Sequence, residues 1–262
     1  MILVTGATGN VGRHVAVGLA ERGAEVRTSS RGGGDVPADL SDPGRLDQAL
    51  DGVDSVFLVW PGPAVPGIAE AVATITARVR KVVYLSAAGA EHGFWGEVEK
   101  AVEHSGVEWV FLRPGGFATN TLGWAGMIRD DGVVRWPYGE ARRALIHERD
   151  IADVAVTALL SGALDGRRPH LTGPANLTQV EQVRLIGEAI GRDVRWVELP
   201  REDARQQLLA EWGNEGFVDA SLTYWASLVG TGEPVTEDVA HIIGRPARAF
   251  RDWCSDHAAD FR

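Results

Sequence analysis

The sequence predicts an α/β protein: a doubly wound parallel sheet with helices on both faces, joined to a smaller, mostly helical C-terminal subdomain. Three observations predict it. The chain opens on a short apolar run, Ile2–Val4, followed by Gly6, Gly9 and Gly12 at G-x-x-G-x-x-G spacing. Val11, Val15 and Leu19 then recur at i, i+4 and i+8, which is helical spacing. After that, apolar runs of strand length alternate with helical patterns as far as residue 117, which is the pattern of a parallel sheet covered on both sides.

Strand, glycine turn and helix in that order read as a Rossmann-type dinucleotide-binding turn. Glycine is required there because the turn is tight, the backbone must approach a pyrophosphate with no Cβ in the way, and the helix must pack close to the strand. The helix start then offers free N–H groups and its positive end to the phosphates. Gly6, Thr8, Gly9, Asn10, Val11 and Gly12 are therefore the expected cofactor-binding turn.

Glu25–Ser30 reads as the second strand and runs into Arg31. An NAD-specific fold places an acid in this region to hold the ribose 2′-hydroxyl, whereas Ser29, Ser30 and Arg31 stand here. A guanidinium suits a 2′-phosphate, so NADP(H) is favoured over NAD(H). Gly32–Gly34 reads as a flexible loop, and residues 36–40 as a short third strand ending at Asp39 and Leu40. Asp42 caps the next helix, with Pro43 at its first position. Residues 53–59 form a buried fourth strand that leads into Trp60-Pro-Gly-Pro63, a loop on the ligand-facing edge of the sheet. A helix over 67–80, a fifth strand over 81–86, a helix over 97–104 and a sixth strand over 107–112 follow.

Beyond residue 118 the alternation stops. A helix is expected over 150–160, a strand over 169–172, a helix capped by Thr178 with Glu181 three residues on, a strand over 193–199, a helical stretch over 201–230 and a final helix carrying Phe250 and Trp253. There is no repeat, no low-complexity segment and no long linker. The chain reads as a single domain, 1–262, in which 118–146 and about 174–262 supply the substrate-covering part. Nine tryptophans, several of them in this cover, suit a flat aromatic substrate equally as they suit core packing.

The bulk composition narrows the partners. Net charge is −10, which argues against nucleic acid or an anionic membrane. No apolar run spans a bilayer, and the N-terminus enters the first strand at once, so a cytoplasmic chain with a small-molecule substrate is expected, as monomer or homodimer. The single cysteine, Cys254, excludes an intrachain disulfide and reads as a packing residue. No His/Asp/Glu spacing suggests a metal site, and no G-x-S-x-G nucleophile turn is present.

These blocks together resemble the NmrA-like branch of the atypical short-chain dehydrogenase/reductases, over nearly the whole chain. The resemblance rests on Val4–Gly12, Asp39-Leu40, Val83–Ser86, Ser105–Val107, Leu112–Phe117 with Asn120, Glu148–Ala155, Leu171–Pro174 and Gly244–Phe250. It implies NAD(P)H binding and adenine contact by Asp39 and Leu40. It allows quinone reductases, other oxidoreductases and redox-sensing regulators without turnover.

One departure matters. Members with standard ketone chemistry carry Tyr-x-x-x-Lys, whereas the residues four beyond Tyr84, Tyr138 and Tyr224 are Ala88, Arg142 and Leu228. Lys100 falls where the motif lysine would, but Gly96 stands four residues before it. Hydride delivery to a ketone makes an alkoxide that needs a positioned acid, while delivery to a quinone makes a far less basic, aromatic anion. The expected reaction is therefore NADPH-dependent reduction of a quinone or of a conjugated or polycyclic carbonyl, such as a tailoring step on an aromatic natural product. A dinucleotide sensor with a protein partner and a non-redox isomerase, cyclase or epimerase are the alternatives. Candidate catalytic groups are Ser86 at the end of the fifth strand, Lys100, and His92 as a proton donor of near-neutral pKa. Ser86, Lys100 and Trp60 are also candidate cofactor contacts. Phe117, Trp124 and Tyr138 are candidate substrate contacts.

Overall fold

The computed structural model describes residues 1–30, 33–36, 40, 42–62, 66–91 and 93–262. Arg31, Asp39 and His92, three of the expected site residues, lie outside the described residues. In chain order the strands are β1 (Ile2–Thr5), β2 (Val26–Ser30), β3 (Gly33–Gly34), β4 (Ser55–Leu58), β5 (Lys81–Leu85), β6 (Glu108–Pro114), β7 (Val133–Trp136), β8 (Arg142–Arg143), β9 (His170–Leu171), β10 (Leu177–Thr178) and β11 (Arg195–Glu198). The α-helices are α1 (Gly12–Glu21), α2 (Pro43–Ala49), α3 (Ile68–Thr76), α4 (Phe94–His104), α5 (Ala125–Asp131), α6 (Glu148–Leu160), α7 (Gln179–Ile190), α8 (Arg201–Trp212), α9 (Glu215–Ser227), α10 (Asp238–Ile243) and α11 (Phe250–Asp256). None of them is long and apolar enough to cross a membrane.

The chain divides into two compact units. The first comprises Met1–Gly115, Glu148–Leu171 and Glu237–Pro246. It holds a seven-stranded sheet in the order β3-β2-β1-β4-β5-β6-β9, with every pairing parallel except that of β2 with β3. The reversal of strand order at β1 is the switch point at which open α/β sheets bind ligands. Strands β1, β4 and most of β5 are buried along their length, so they read as apolar runs rather than as alternations. On one face Leu3, Val56, Leu58, Val82 and Tyr84 pack with Leu46 of α2, Val72 and Ile75 of α3, and Val98 and Val102 of α4. Lys81, one of only two lysines, is buried at the start of β5, where its Nζ donates to the Ser161 carbonyl at 2.7 Å and pairs with Asp165.

Two expectations in this unit need correction. Val36 and Leu40, the ends of the expected third strand, lie outside any strand, and 37–39 lie outside the described residues. Instead Gly33 and Gly34, expected as a flexible loop, form a two-residue antiparallel edge strand. The cause is local. Asp35 accepts hydrogen bonds from both the backbone N–H and the hydroxyl of Thr28 at 2.9 Å, folding the chain back on β2. Gly34 has φ +98°, and a Cβ there would lie 2.8 Å from the Thr28 carbonyl oxygen.

The second unit comprises Gly116–His147, Thr172–Thr236 and Ala247–Arg262. It is mostly helical, with two small sheets, β7 paired parallel with β11 and β8 paired antiparallel with β10. Its core gathers Trp124, Ile128, Trp136, Val183, Ile186, Leu208, Leu222, Trp225, Phe250, Trp253 and Phe261. Thr178 and Glu181 form the expected capping box at the start of α7. The helical stretch expected over 201–230 is in fact two helices. Gly213 adopts φ +66° and closes α8, and Asn214 caps α9 by accepting from the Phe217 N–H at 3.0 Å. Cys254 is buried in this core, and desolvation pushes its thiol up to about 12, in keeping with a packing role.

Candidate functional site

The glycine turn of the first unit is built for close approach from outside. Gly6 adopts φ +62° directly after β1. A Cβ on Gly12 would lie 2.2 Å from the Gly6 carbonyl oxygen, so only glycine lets α1 start this near the turn. Gly9 differs from both. It is exposed, between exposed Thr8 and Asn10, and a Cβ there would meet nothing nearer than the Gly6 oxygen at 3.2 Å. The exposed arch Thr8-Gly9-Asn10 therefore has no side chain at its middle, and the Gly9 N–H closes the turn by donating to the Gly6 carbonyl at 2.9 Å. Val11 is buried at the head of α1, which has no side-chain cap and no acid in its first turn, so its positive end is uncompensated. This arrangement fits a pyrophosphate: the cradle is one that a side chain at Gly9 would fill.

Neighbouring groups fix the edge of the sheet around this turn. Thr5 accepts from the Val59 N–H at 2.8 Å and donates to the Phe57 carbonyl at 3.1 Å, tying β1 to β4. Ala7 N–H donates to the Ser29 carbonyl at 3.1 Å. Ser29 and Ser30, expected near the ribose, are both buried, and the Ser30 hydroxyl donates to the Gly33 carbonyl at 2.8 Å. Leu40 packs in the core beside Leu46 and Leu50. Trp60 follows β4 with its ring buried, and its indole N–H has no hydrogen-bond partner among the described residues. An orphan donor of this kind costs roughly 1–3 kcal/mol, which a bound acceptor relieves.

Ser86 lies just past β5 and is buried. Its hydroxyl donates to Glu99 on α4 at 2.6 Å. Glu99 in turn receives Arg113 of β6 through Nε at 3.0 Å and Nη2 at 2.6 Å, a forked contact. Arg113 also pairs with exposed Glu91, and these carboxylates hold its guanidinium even more firmly protonated than usual. The sequence drew attention to Ser86 and, within the Leu112–Phe117 block, to Arg113, but not to Glu99, and the pairing across α4 and β6 leaves no motif. Lys100, one residue beyond Glu99, is exposed on α4, away from this buried array. Tyr84 is fully buried, edge-on to Phe111, and desolvation raises its pKa far out of the working range, so it is no proton donor.

The second unit carries an aromatic cavity of about 410 Å³. Trp124, Trp136, Trp212 and Trp225 wall it, with adjacent ring centroids 5.6–6.4 Å apart, and Phe217 and Tyr224 complete the apolar lining. Trp124, Trp136 and Trp225 are at the same time buried members of the core, so the tryptophans are both packing and wall. Asn120, named within the resemblance, lies on the lining as well. Of the expected substrate residues, Trp124 alone lines this cavity. Phe117 instead bridges to Ile146 along the backbone. Tyr138 holds φ +61°, and its hydroxyl accepts from Arg201 at 3.0 Å. The Tyr224 hydroxyl donates to Glu233 at 2.7 Å. Among the described residues no cluster of His, Cys, Asp and Glu could hold a metal ion.

Residues 6–161 match the model of a family described as NAD(P)H-binding. The chain is 40% identical to the (4-alkanoyl-5-oxo-2,5-dihydrofuran-3-yl)methyl phosphate reductase of Streptomyces griseus, covering 100% of this chain and 99% of that protein. It is 35% identical to the NAD(P)H azoreductase of Xenophilus azovorans, again over 100% and 99%. The solved structure of the NADPH-dependent quinone oxidoreductase QOR2 of Escherichia coli complexed with NADPH shares the fold, with TM-score 0.80 at 22% identity over 98% of this chain and 99% of that one. The glycine turn, the switch-point sheet and these matches agree: the chain belongs to the NAD(P)H-binding family, in the NmrA-like branch of the atypical short-chain dehydrogenase/reductases.

Proposed function

We propose that this chain is an NAD(P)H-dependent oxidoreductase, with NADPH preferred, that reduces a flat, electron-poor conjugated acceptor such as a quinone or an α,β-unsaturated carbonyl. The observation that carries the reading is the fate of its tyrosines. Tyr84 is sealed in the core, Tyr138 accepts from Arg201 and Tyr224 donates to Glu233. None is followed by lysine at the fourth position. A site without that acid suits an acceptor whose reduced form is a delocalised anion, because such an anion takes its proton from water at leisure.

When bound, NADPH supplies a hydride, and one proton from solvent completes the two-electron reduction. The chain's own work is binding and orientation. The exposed backbone of Thr8-Gly9-Asn10 and the uncapped start of α1 hold the pyrophosphate. Trp60 offers its unpartnered N–H. Ser86, fixed by Glu99 and Arg113, presents an oxygen whose orientation cannot drift. The four tryptophans of the second unit stack the flat acceptor and exclude water. The two relatives fit this chemistry by name: one is named for a dihydrofuranone whose ring C=C is conjugated to two carbonyls, the other for an azo bond, and both are electron-poor π systems.

The test is loss of the 340 nm absorbance of NADPH against a panel of acceptors. Naphthoquinone and an acyl butenolide are expected to be consumed at least tenfold faster than a saturated ketone of equal size, and equal rates on all three would sink the proposal. NADPH binding with no oxidation of any acceptor would favour a sensor or a non-redox enzyme. Arg31 supplies the coenzyme preference in this reading. Arg31→Ala is expected to lower affinity for NADPH by about tenfold to a hundredfold, as a lost charge-assisted contact does, and to leave NADH nearly unchanged. Equal losses for both coenzymes in a titration of NAD(P)H fluorescence would remove Arg31 from that role.

A further inference from the structure

A second cavity of about 270 Å³ lies beside the tryptophan cavity in the second unit. The two share Arg143, Leu145 and Gln182 in their linings. Their characters are opposite. The first is walled by aromatic rings, while the second is lined by Arg143, Arg184 and Arg251 and by no carboxylate. Arg143 is the hinge of the pair. Its Nε donates to Glu233 at 3.0 Å, and this is its only hydrogen bond among the described residues. Glu233 is itself saturated, taking the Tyr224 hydroxyl at 2.7 Å and the Ala144 N–H at 2.8 Å. One edge of the guanidinium is thus anchored, its Cζ lies 6.0 Å from the centroid of the Tyr224 ring, and its Nη1 and Nη2 have no hydrogen-bond partner among the described residues. The side chain is only 13% exposed and lines both cavities. Gly116 makes the position possible, because a Cβ there would lie 2.1 Å from Nη2. Arg184 and Arg251 share a single carboxylate, Glu188. Three guanidiniums against Glu233 and Glu188 leave one positive charge uncompensated.

We infer that the second unit is a two-part receptor, in which the tryptophan cavity takes the flat conjugated portion of the substrate and the arginine cavity takes an oxyanion group attached to it, a phosphate or a carboxylate, gripped by the free fork of Arg143. The fork matches two oxygens of such a group side by side. This inference rests on the reductase reading for what happens to the ligand, but not for its recognition.

The test uses three naphthoquinones that differ in one substituent: methyl, carboxymethyl and phosphonooxymethyl. For the native protein, kcat/KM is expected to be at least about tenfold higher with an anionic substituent than with methyl, and the better of the two anionic arms identifies the oxyanion. Arg143→Gln should collapse that ratio towards one, and Arg143→Lys should restore part of it. The double variant Arg184→Gln/Arg251→Gln, at exposed positions, should lower the ratio severalfold and serves if Arg143→Gln does not fold. A native ratio near one, or a ratio indifferent to Arg143, overturns the inference and leaves the reductase reading standing. If no quinone is turned over, saturable quenching of tryptophan fluorescence by the same compounds decides. Anion-selective quenching that Arg143→Gln abolishes upholds the receptor and leaves the reductase reading to the acyl butenolide assay, whereas quenching without that selectivity overturns the receptor.

Discussion

Gly9→Val is expected to fold normally and to lose NAD(P)H binding by more than about a hundredfold, equivalent to two charge-assisted hydrogen bonds. The two halves of this expectation come from one geometry. Gly9 is exposed and has ordinary negative φ, and an added Cβ meets only the Gly6 oxygen at 3.2 Å. A branched side chain therefore asks the exposed turn to give by only a few tenths of an ångström, but it stands on the arch where the pyrophosphate must touch backbone. Gly12→Ala is the control with the opposite outcome. Its Cβ would lie 2.2 Å from the Gly6 carbonyl oxygen, a backbone atom that cannot swing away. That substitution should cost stability on the order of 1–3 kcal/mol, as overpacking does. Thermal unfolding together with a titration of cofactor fluorescence separates the two. A Gly9→Val protein that still binds NADPH at native affinity would place the pyrophosphate elsewhere.

Glu99→Ala is the second large effect, and it is one of stability. The Glu99 side chain is 5% exposed and holds Arg113, itself 17% exposed, while accepting the Ser86 hydroxyl. Removing it strands a partly buried guanidinium, for which about 3–5 kcal/mol is typical. Arg113 keeps exposed Glu91 as a partner, so the lower figure, about 3 kcal/mol, applies. For a chain of this size that corresponds to a fall in Tm of roughly 6–12 °C. Glu99→Gln, which keeps the volume and an acceptor for Ser86, should lose distinctly less. If Glu99→Ala melts within a degree of the native protein, the array is a surface feature and Ser86 is not fixed by it.

Much of the first unit, and the start of α7 in the second, was legible in the sequence because the signals are local. The G-x-x-G-x-x-G turn, the buried runs of β1, β4 and β5, the Asp42 cap that accepts from Gly44 and Arg45, and the Thr178/Glu181 box each depend on residues a few places apart. What escaped the sequence is long-range or conformational. The Gly33–Gly34 edge strand arises from Asp35 reaching back seven residues to Thr28, and a run of three glycines carries no sign of that. Glu99 and Arg113 are fourteen residues apart on different elements. The paired cavities draw Asn120, Arg143, Gln182, Trp212 and Arg251 from across more than a hundred residues. Their tryptophans follow no period, so sequence alone could weigh wall against core but not show that they serve as both. Tyr138 shows another long-range feature: an aromatic in a Gly-rich stretch suggested a ligand contact, and neither its positive φ nor the hydrogen bond its hydroxyl accepts from Arg201, sixty-three residues on, is legible locally.

The measurement that bears most directly on the proposed hydride transfer is the mass of the product formed from an acyl butenolide and NADPH carrying deuterium at C4 of the nicotinamide, run separately with each of the two C4 diastereomers. Hydride transfer to the conjugated C=C predicts a reduced lactone one mass unit heavier with one diastereomer and not with the other. No reduced lactone, or a lactone that carries deuterium from neither, would contradict it.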